Sequence, residues 1–143
     1  MMKIIRQLST SVHNKDMHMR QYEKIKKIEA HIGGYFGGYY QVEVDLEHNL
    51  VSWTTGGEGE LEETVHRNIR SATAKKFLEQ LETLELLNWE EEYVDPGTLD
   101  GTQWQVDLVM DDHTITKHGS NCYPEQWGKF RQAISKITGK PFR

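Results

Sequence analysis

Residues 103–110 alternate without a break: Trp104, Val106, Leu108 and Met110 stand between Gln103, Gln105, Asp107 and Val109. A period of two is the signature of a strand with one buried face, so this run predicts the clearest strand of the chain. Asp111-Asp112 makes the turn. Thr114, Thr116 and His118 then alternate with His113, Ile115 and Lys117 in a more polar returning strand, expected near a sheet edge. An earlier pair has the same form. Val42, Val44 and Leu46 oppose Glu43 and Asp45; after Glu47-His48-Asn49, Val51 and Trp53 oppose Ser52 and Thr54. Residues 22–32 fit two patterns. Ile25, Ile28 and Ile32 have helical spacing, whereas Ile28, Ala30 and Ile32 alternate against Lys27, Glu29 and His31. The strand reading is preferred, because the glycine-rich bend Gly33 to Gly38 and a strand follow it, as in a hairpin.

Two stretches have the 3.6 period instead. Ala74, Phe77, Leu78, Leu81 and Leu84 form the stripe of a helix over about 71–86, with Ser71 or Thr73 as cap and Asn88 as stop. Trp127, Phe130, Ile134 and Ile137 form that of a helix over 124–138, entered at Pro124 and ended at Gly139, with Pro141-Phe142 tucking back. Thr55 to Glu60 reads as a break in regular structure, an acidic loop with Glu62 and Glu63, before a short strand holding Val65 and Ile69. Glu90 to Glu92 reads as a short extended segment, and Pro96-Gly97 and Asp100-Gly101 as turns. The order and the short connections predict one α+β domain over residues 21–143. It has two layers, an antiparallel sheet with both helices on one face, behind a loosely ordered arm at 1–20.

At 143 residues with 36% hydrophobic and 27% charged positions, the chain can bury a sizeable core. It has no apolar run of about 20 residues, and the first residues lack the apolar core of a signal peptide. Its one cysteine cannot form an internal disulfide. These features predict a cytoplasmic protein. The net charge of −5 is segregated: +4 over residues 1–30, −14 over 31–112 and +5 over 113–143. Such acidity disfavours nucleic acid as a partner, since phosphate contacts need a basic field. The basic ends leave an anionic ligand as one reading.

The junction His118-Gly119-Ser120-Asn121-Cys122-Tyr123-Pro124 joins the last strand to the last helix. A thiol near a helix N-terminus is favoured as thiolate, so His118 with Cys122 or Asp100 is the candidate catalytic grouping, for a hydrolase or transferase. Ser120 and Asn121 read as anion or partner-carboxylate ligands, or as residues that satisfy the local backbone. Trp104 and Trp127 are expected in the core; if exposed beside Tyr35, Tyr39 or Tyr40 they would form an aromatic recognition patch, and Tyr123 stands with Ser120 and Asn121 as a ligand- or partner-binding candidate. No metal-ligand spacing and no cofactor motif is present.

The motif Asp100-Gly101-Thr102-Gln103-Trp104, followed by a hairpin and by Gly119-Ser120-Asn121-Cys122-Tyr123-Pro124 with Trp127 and Phe130, resembles a group of small uncharacterised proteins of Gram-positive bacteria. A glycine-rich first hairpin, like Gly33 to Gly38, also occurs in that group. The resemblance spans about residues 22–138. It implies a bacterial, single-domain, cytosolic protein and assigns no catalytic residue. The leading expectation is therefore a small non-enzymatic interaction module with a protein partner, in a phage, immunity or regulatory context. An exposed edge strand would also allow a homodimer.

Overall fold

The computed structural model describes residues 18–34, 37–57, 59–97 and 101–143. Seven strands form one sheet: β1 (Lys27–Gly34), β2 (Tyr39–Asp45), β3 (Leu50–Gly57), β4 (Glu60–Asn68), β5 (Glu92–Val94), β6 (Thr102–Val109) and β7 (Thr114–Ser120). Their order is β4-β3-β2-β1-β6-β7-β5. Every adjacent pair is antiparallel except β5 with β7. The helices are α1 at residues 18–23, α2 (Ser71–Thr83) and α3 (Trp127–Thr138), with a 3₁₀ turn at Leu86–Asn88.

The alternation sets the register. Ile28 stands between Val44 and Leu108, Ala30 between Val42 and Val106, and Ile32 between Tyr40 and Trp104. A slip of one residue would turn this set to the opposite face. The strand residues of this face join Phe77, Leu81, Phe130 and Ile134 of the two long helices in a single hydrophobic cluster. Helices α2 and α3 touch each other, and α3 touches β3. Tyr22 of α1 is buried there too. Its hydroxyl accepts the Leu87 N–H at 3.0 Å, and burial raises its pKa despite that bond. The carboxyl end closes the cluster: Phe142 is buried, and the Trp53 indole N–H donates to the Pro141 carbonyl at 2.8 Å.

Several boundaries differ from the sequence reading, each for a physical reason. The stretch read as an acidic loop is strand: β3 runs to Gly57 and the nine residues of β4 return from Glu60, with a bulge between Thr55 and Gly57. As an edge strand, β4 is exposed along its length and only Val65 is half-buried, so it shows no period-two pattern. The extended segment after Trp89 does add a strand, β5, but parallel to β7, so the sheet is not purely antiparallel. Helix α2 ends at Thr83, not 86, because Glu85 takes a left-handed φ of 54° and the chain tightens into the 3₁₀ turn. Neither Ser71 nor Thr73 caps it. Arg70 holds the cap position without a side-chain bond, and the Ser71 hydroxyl instead accepts from Asn49 Nδ2 at 3.2 Å. Helix α3 begins at Trp127, where the Trp127 N–H donates to the Pro124 carbonyl in a preliminary turn, and ends at Gly139 with φ 70°. The arm read over 1–20 lies outside the described residues except at 18–20, which are helical.

Candidate functional site

The strand-to-helix junction is a clasp. Asn121 stands at φ 53°, and its side-chain oxygen accepts the Thr102 N–H at 2.9 Å while its own N–H donates to the Thr102 carbonyl at 2.9 Å. The start of β6 is thereby tied to the exit of β7. Gly101 allows this: a Cβ there would lie 1.8 Å from the Asn121 side-chain oxygen. Gly119 allows the next contact, since its Cβ would lie 2.4 Å from the indole nitrogen of Trp104. That indole donates to the Cys122 carbonyl at 2.9 Å and packs against Trp127 at 4.6 Å between centroids. Tyr123 leans on Trp127 at 5.5 Å. The side-chain oxygen of Asn121 and the indole N–H of Trp104 are therefore spent on the fold.

The other candidates are distributed as follows. Trp104 is 2% exposed, which removes it from any surface patch, and Tyr123 is 39% exposed. Ser120 is half-buried, and its carbonyl accepts the Asp95 N–H at 3.1 Å. His118 has its Nε2 3.6 Å from a Glu92 carboxylate oxygen. Cys122 is a free thiol with no hydrogen-bond partner among the described residues, so no His118–Cys122 bond is formed. Asp100 lies outside the described residues. Among those residues, no group of three His, Cys, Asp or Glu is placed to hold a metal ion, and no helix is long and apolar enough to cross a membrane.

A different surface brings polar groups together. Each strand's second set of residues lies on the face opposite the hydrophobic cluster. One row takes a residue from every strand: Thr64, Thr54, Gln41, His31, Gln105, His118 and Glu92. The adjoining row is His66, Ser52, Glu43, Glu29, Asp107 and Thr116. Much of this face is internally satisfied. The Thr54 and Thr64 hydroxyls meet at 3.0 Å, Ser52 meets His66 Nδ1 at 2.9 Å, and Thr116 donates to Asp107 at 2.7 Å. Gln105 Nε2 donates to both Asp107 oxygens at 3.1 and 3.2 Å, and Lys27 pairs with Glu43 at 3.3 Å.

The centre is left with spare capacity. Glu29 stands between Glu43 and Asp107 on the neighbouring strands, and its carboxylate makes no hydrogen bond or close ion pair among the described residues, the Lys27 ammonium that pairs with Glu43 attracting it only at longer range. His31 Nδ1 meets Gln41 Oε1 at 3.0 Å, and its Nε2 makes no hydrogen bond among the described residues. Two clefts meet here. One of about 370 Å³ is lined by Glu29, His31, Gln41, Gln105 and Asp107. The other, of about 450 Å³, shares His31 and Gln105 and is closed by Tyr39 and the glycines of the first hairpin. The Tyr39 ring stacks on His31 at 5.8 Å, lies over Gly56, and donates its hydroxyl to Glu62 at 2.6 Å, a bond that raises its pKa. Of these residues the sequence singled out only Tyr39 and His118. The alternation itself was the available signal, since it assigns Glu29, His31, Gln105 and Asp107 to one face.

A buried cation completes the picture on the other side. Lys117, opposite Val106, is 8% exposed and donates to the carbonyls of Trp89 at 2.5 Å and Leu87 at 3.3 Å. It serves the 3₁₀ turn as a C-terminal cap. No protein-family model and no curated protein sequence matches the chain.

Proposed function

We propose that the protein is a non-enzymatic interaction module that receives a protein partner on the polar face of its sheet. In this reading the domain has two layers, with both long helices over the hydrophobic face, so that the polar face is an outer surface. The single observation behind it is the unpaired Glu29, flanked by Glu43 and Asp107 on a floor of hydrogen-bonding side chains. Two like neighbours make a complementary cation favourable at Glu29. The partner's contact segment is therefore basic, and extended enough to lie along the joined clefts.

The experiment is affinity capture by the full chain, with Glu29→Lys and Gln105→Ala on the polar face and Lys129→Glu on α3 as the control. A partner retained by wild type and the control, lost with the polar-face variants and released by salt, supports the reading. Equal retention by all of them contradicts it. A second reading rests on a groove of about 540 Å³ lined by residues of α2 and α3, where Lys76, Lys129 and Lys136 gather around one acid, Glu79. Its occupant would be an anion. Loss of the same partner with Lys129→Glu, and not with Glu29→Lys, would favour that reading.

A further inference from the structure

Strand β4 ends the sheet with its outer edge unpaired among the described residues, and it carries Leu61 at 96% exposure. An edge of nine residues that offers free amides, carbonyls and a bare leucine is a template for another strand. The sequence of the edge specifies which one. Acids occupy its first half, at Glu60, Glu62 and Glu63, and bases its second half and exit, at His66, Arg67 and Arg70. A strand of that polarity complements an antiparallel copy of itself.

We propose that a second copy of this chain pairs with β4 about a two-fold axis at Val65, joining the two sheets into one. In that register Val65 meets its own symmetry mate and Glu63 stands opposite Arg67 of the partner subunit, while Leu61, past the bulge, lies toward Ile69 of the partner subunit. Glu60 reaches Arg70 of the partner subunit. The backbone agrees. The Ile69 N–H donates inward to the Asn49 carbonyl at 2.9 Å, so from Glu63 to Ile69 the odd-numbered residues turn their backbone groups to β3 and the even-numbered ones turn theirs outward, an alternation that the bulge at Leu61 and Glu62 ends. Val65 and its mate then form a non-hydrogen-bonded pair, with side chains closest, flanked by hydrogen-bonded pairs of Thr64 with His66 of the partner subunit. Moving the axis to Glu63 sets that acid against itself, and moving it to Arg67 does the same for the base. Of these three registers, only the one at Val65 sets a carboxylate directly across from a guanidinium. The proposal concerns the sheet edge and stands apart from the reading of the polar face.

Sedimentation velocity over a concentration series tests it. Wild type is expected to pass from monomer to dimer. Glu63→Arg and Arg67→Glu should each raise the dimer dissociation constant about tenfold, because the axis repeats each reversed pair. The double exchange should restore it. Thr64→Pro removes an outward amide without touching the β3 ladder, and should give monomer with an unchanged circular dichroism spectrum. A wild type that stays monomeric throughout overturns the proposal. So does a dimer that ignores Thr64→Pro, or one broken by that variant but indifferent to the charge exchange.

Discussion

Replacing Gly119 by alanine tests the clasp at its tightest point. The added methyl would sit 2.4 Å from Trp104 Nε1, 2.7 Å from Trp104 Cε2 and 2.7 Å from the Cys122 carbonyl oxygen. None of these atoms is the far end of a flexible chain. The indole is 2% exposed and held by Trp89 at 6.2 Å, Tyr93 at 5.8 Å and Trp127 at 4.6 Å between centroids. It must move, and it loses its bond to Cys122 when it does. Overpacking of this kind costs roughly 1–3 kcal/mol, and the lost hydrogen bond adds about 1 kcal/mol. The sum, about 2–4 kcal/mol, is a large part of the roughly 5–15 kcal/mol that holds a domain together. At about 2–4 °C per kcal/mol for a chain of this size, the midpoint should fall by roughly 5–15 °C. Urea and thermal unfolding followed by tryptophan fluorescence measure it. Gly128→Ala is the matched control, since a Cβ there meets nothing within 4 Å. Within α3 it should stabilise by about 0.5–1 kcal/mol. A Gly119→Ala protein within about 0.5 kcal/mol of wild type would refute the reasoning, that being the range of an ordinary surface change.

Other outcomes follow from the same geometry. Asn121→Ala should cost about 1–3 kcal/mol by leaving the Thr102 N–H unpaired and straining a positive φ. Asn121→Gly should recover the strain alone, as chemical denaturation of the two variants would show. Lys117→Met should destabilise by about 1.5–3 kcal/mol through the uncapped carbonyls of Leu87 and Trp89, and the loss should appear first as faster amide exchange around the 3₁₀ turn. In the turn after β2, the Asp45 carboxylate bonds His48 at 2.9 Å and raises its pKa; burial pushes the Asp45 pKa up, but the His48 bonds outweigh it and leave it lowered. Stability from His48 is present below its unfolded pKa and lost as pH rises through the raised one. Stability from Asp45 is present above its unfolded pKa and lost as pH falls through the lowered one. The turn is therefore tightest between the two, and an NMR titration of Asp45→Asn should show the His48 value moving down.

What the sequence disclosed depended on whether one side of an element is buried. Strand β6 and helix α3 each bury one face, and Trp104, Val106 and Leu108, or Trp127, Phe130 and Ile134, announce it. Strand β4 buries nothing fully, so its first residues read as part of an acidic loop and only Val65, with Ile69 beyond it, suggested a short strand. Strand β5 has three residues, too few for a period, and its parallel direction depends on a crossover that carries no local signal. The junction from Gly119 to Trp127 was legible as a strand-to-helix passage. Its roles were not, because Gly101 and Gly119 are required by side chains that arrive from elsewhere in the chain, those of Asn121 and Trp104. The polar face had the opposite difficulty. Each of its residues is ordinary where it stands in sequence, and only the pairing of β1 with β2 and β6 brings Glu29 between two other acids.

The most direct measurement is histidine footprinting with diethyl pyrocarbonate, on the free protein and on its complex with a captured partner. His31 and His118 share one row of the polar face, while His48 and His113 lie in turns at the strand ends. If the partner sits on the polar face, His31 and His118 lose reactivity in the complex while His48 and His113 keep theirs. Unchanged labelling of His31 and His118 in a saturated complex would contradict the account.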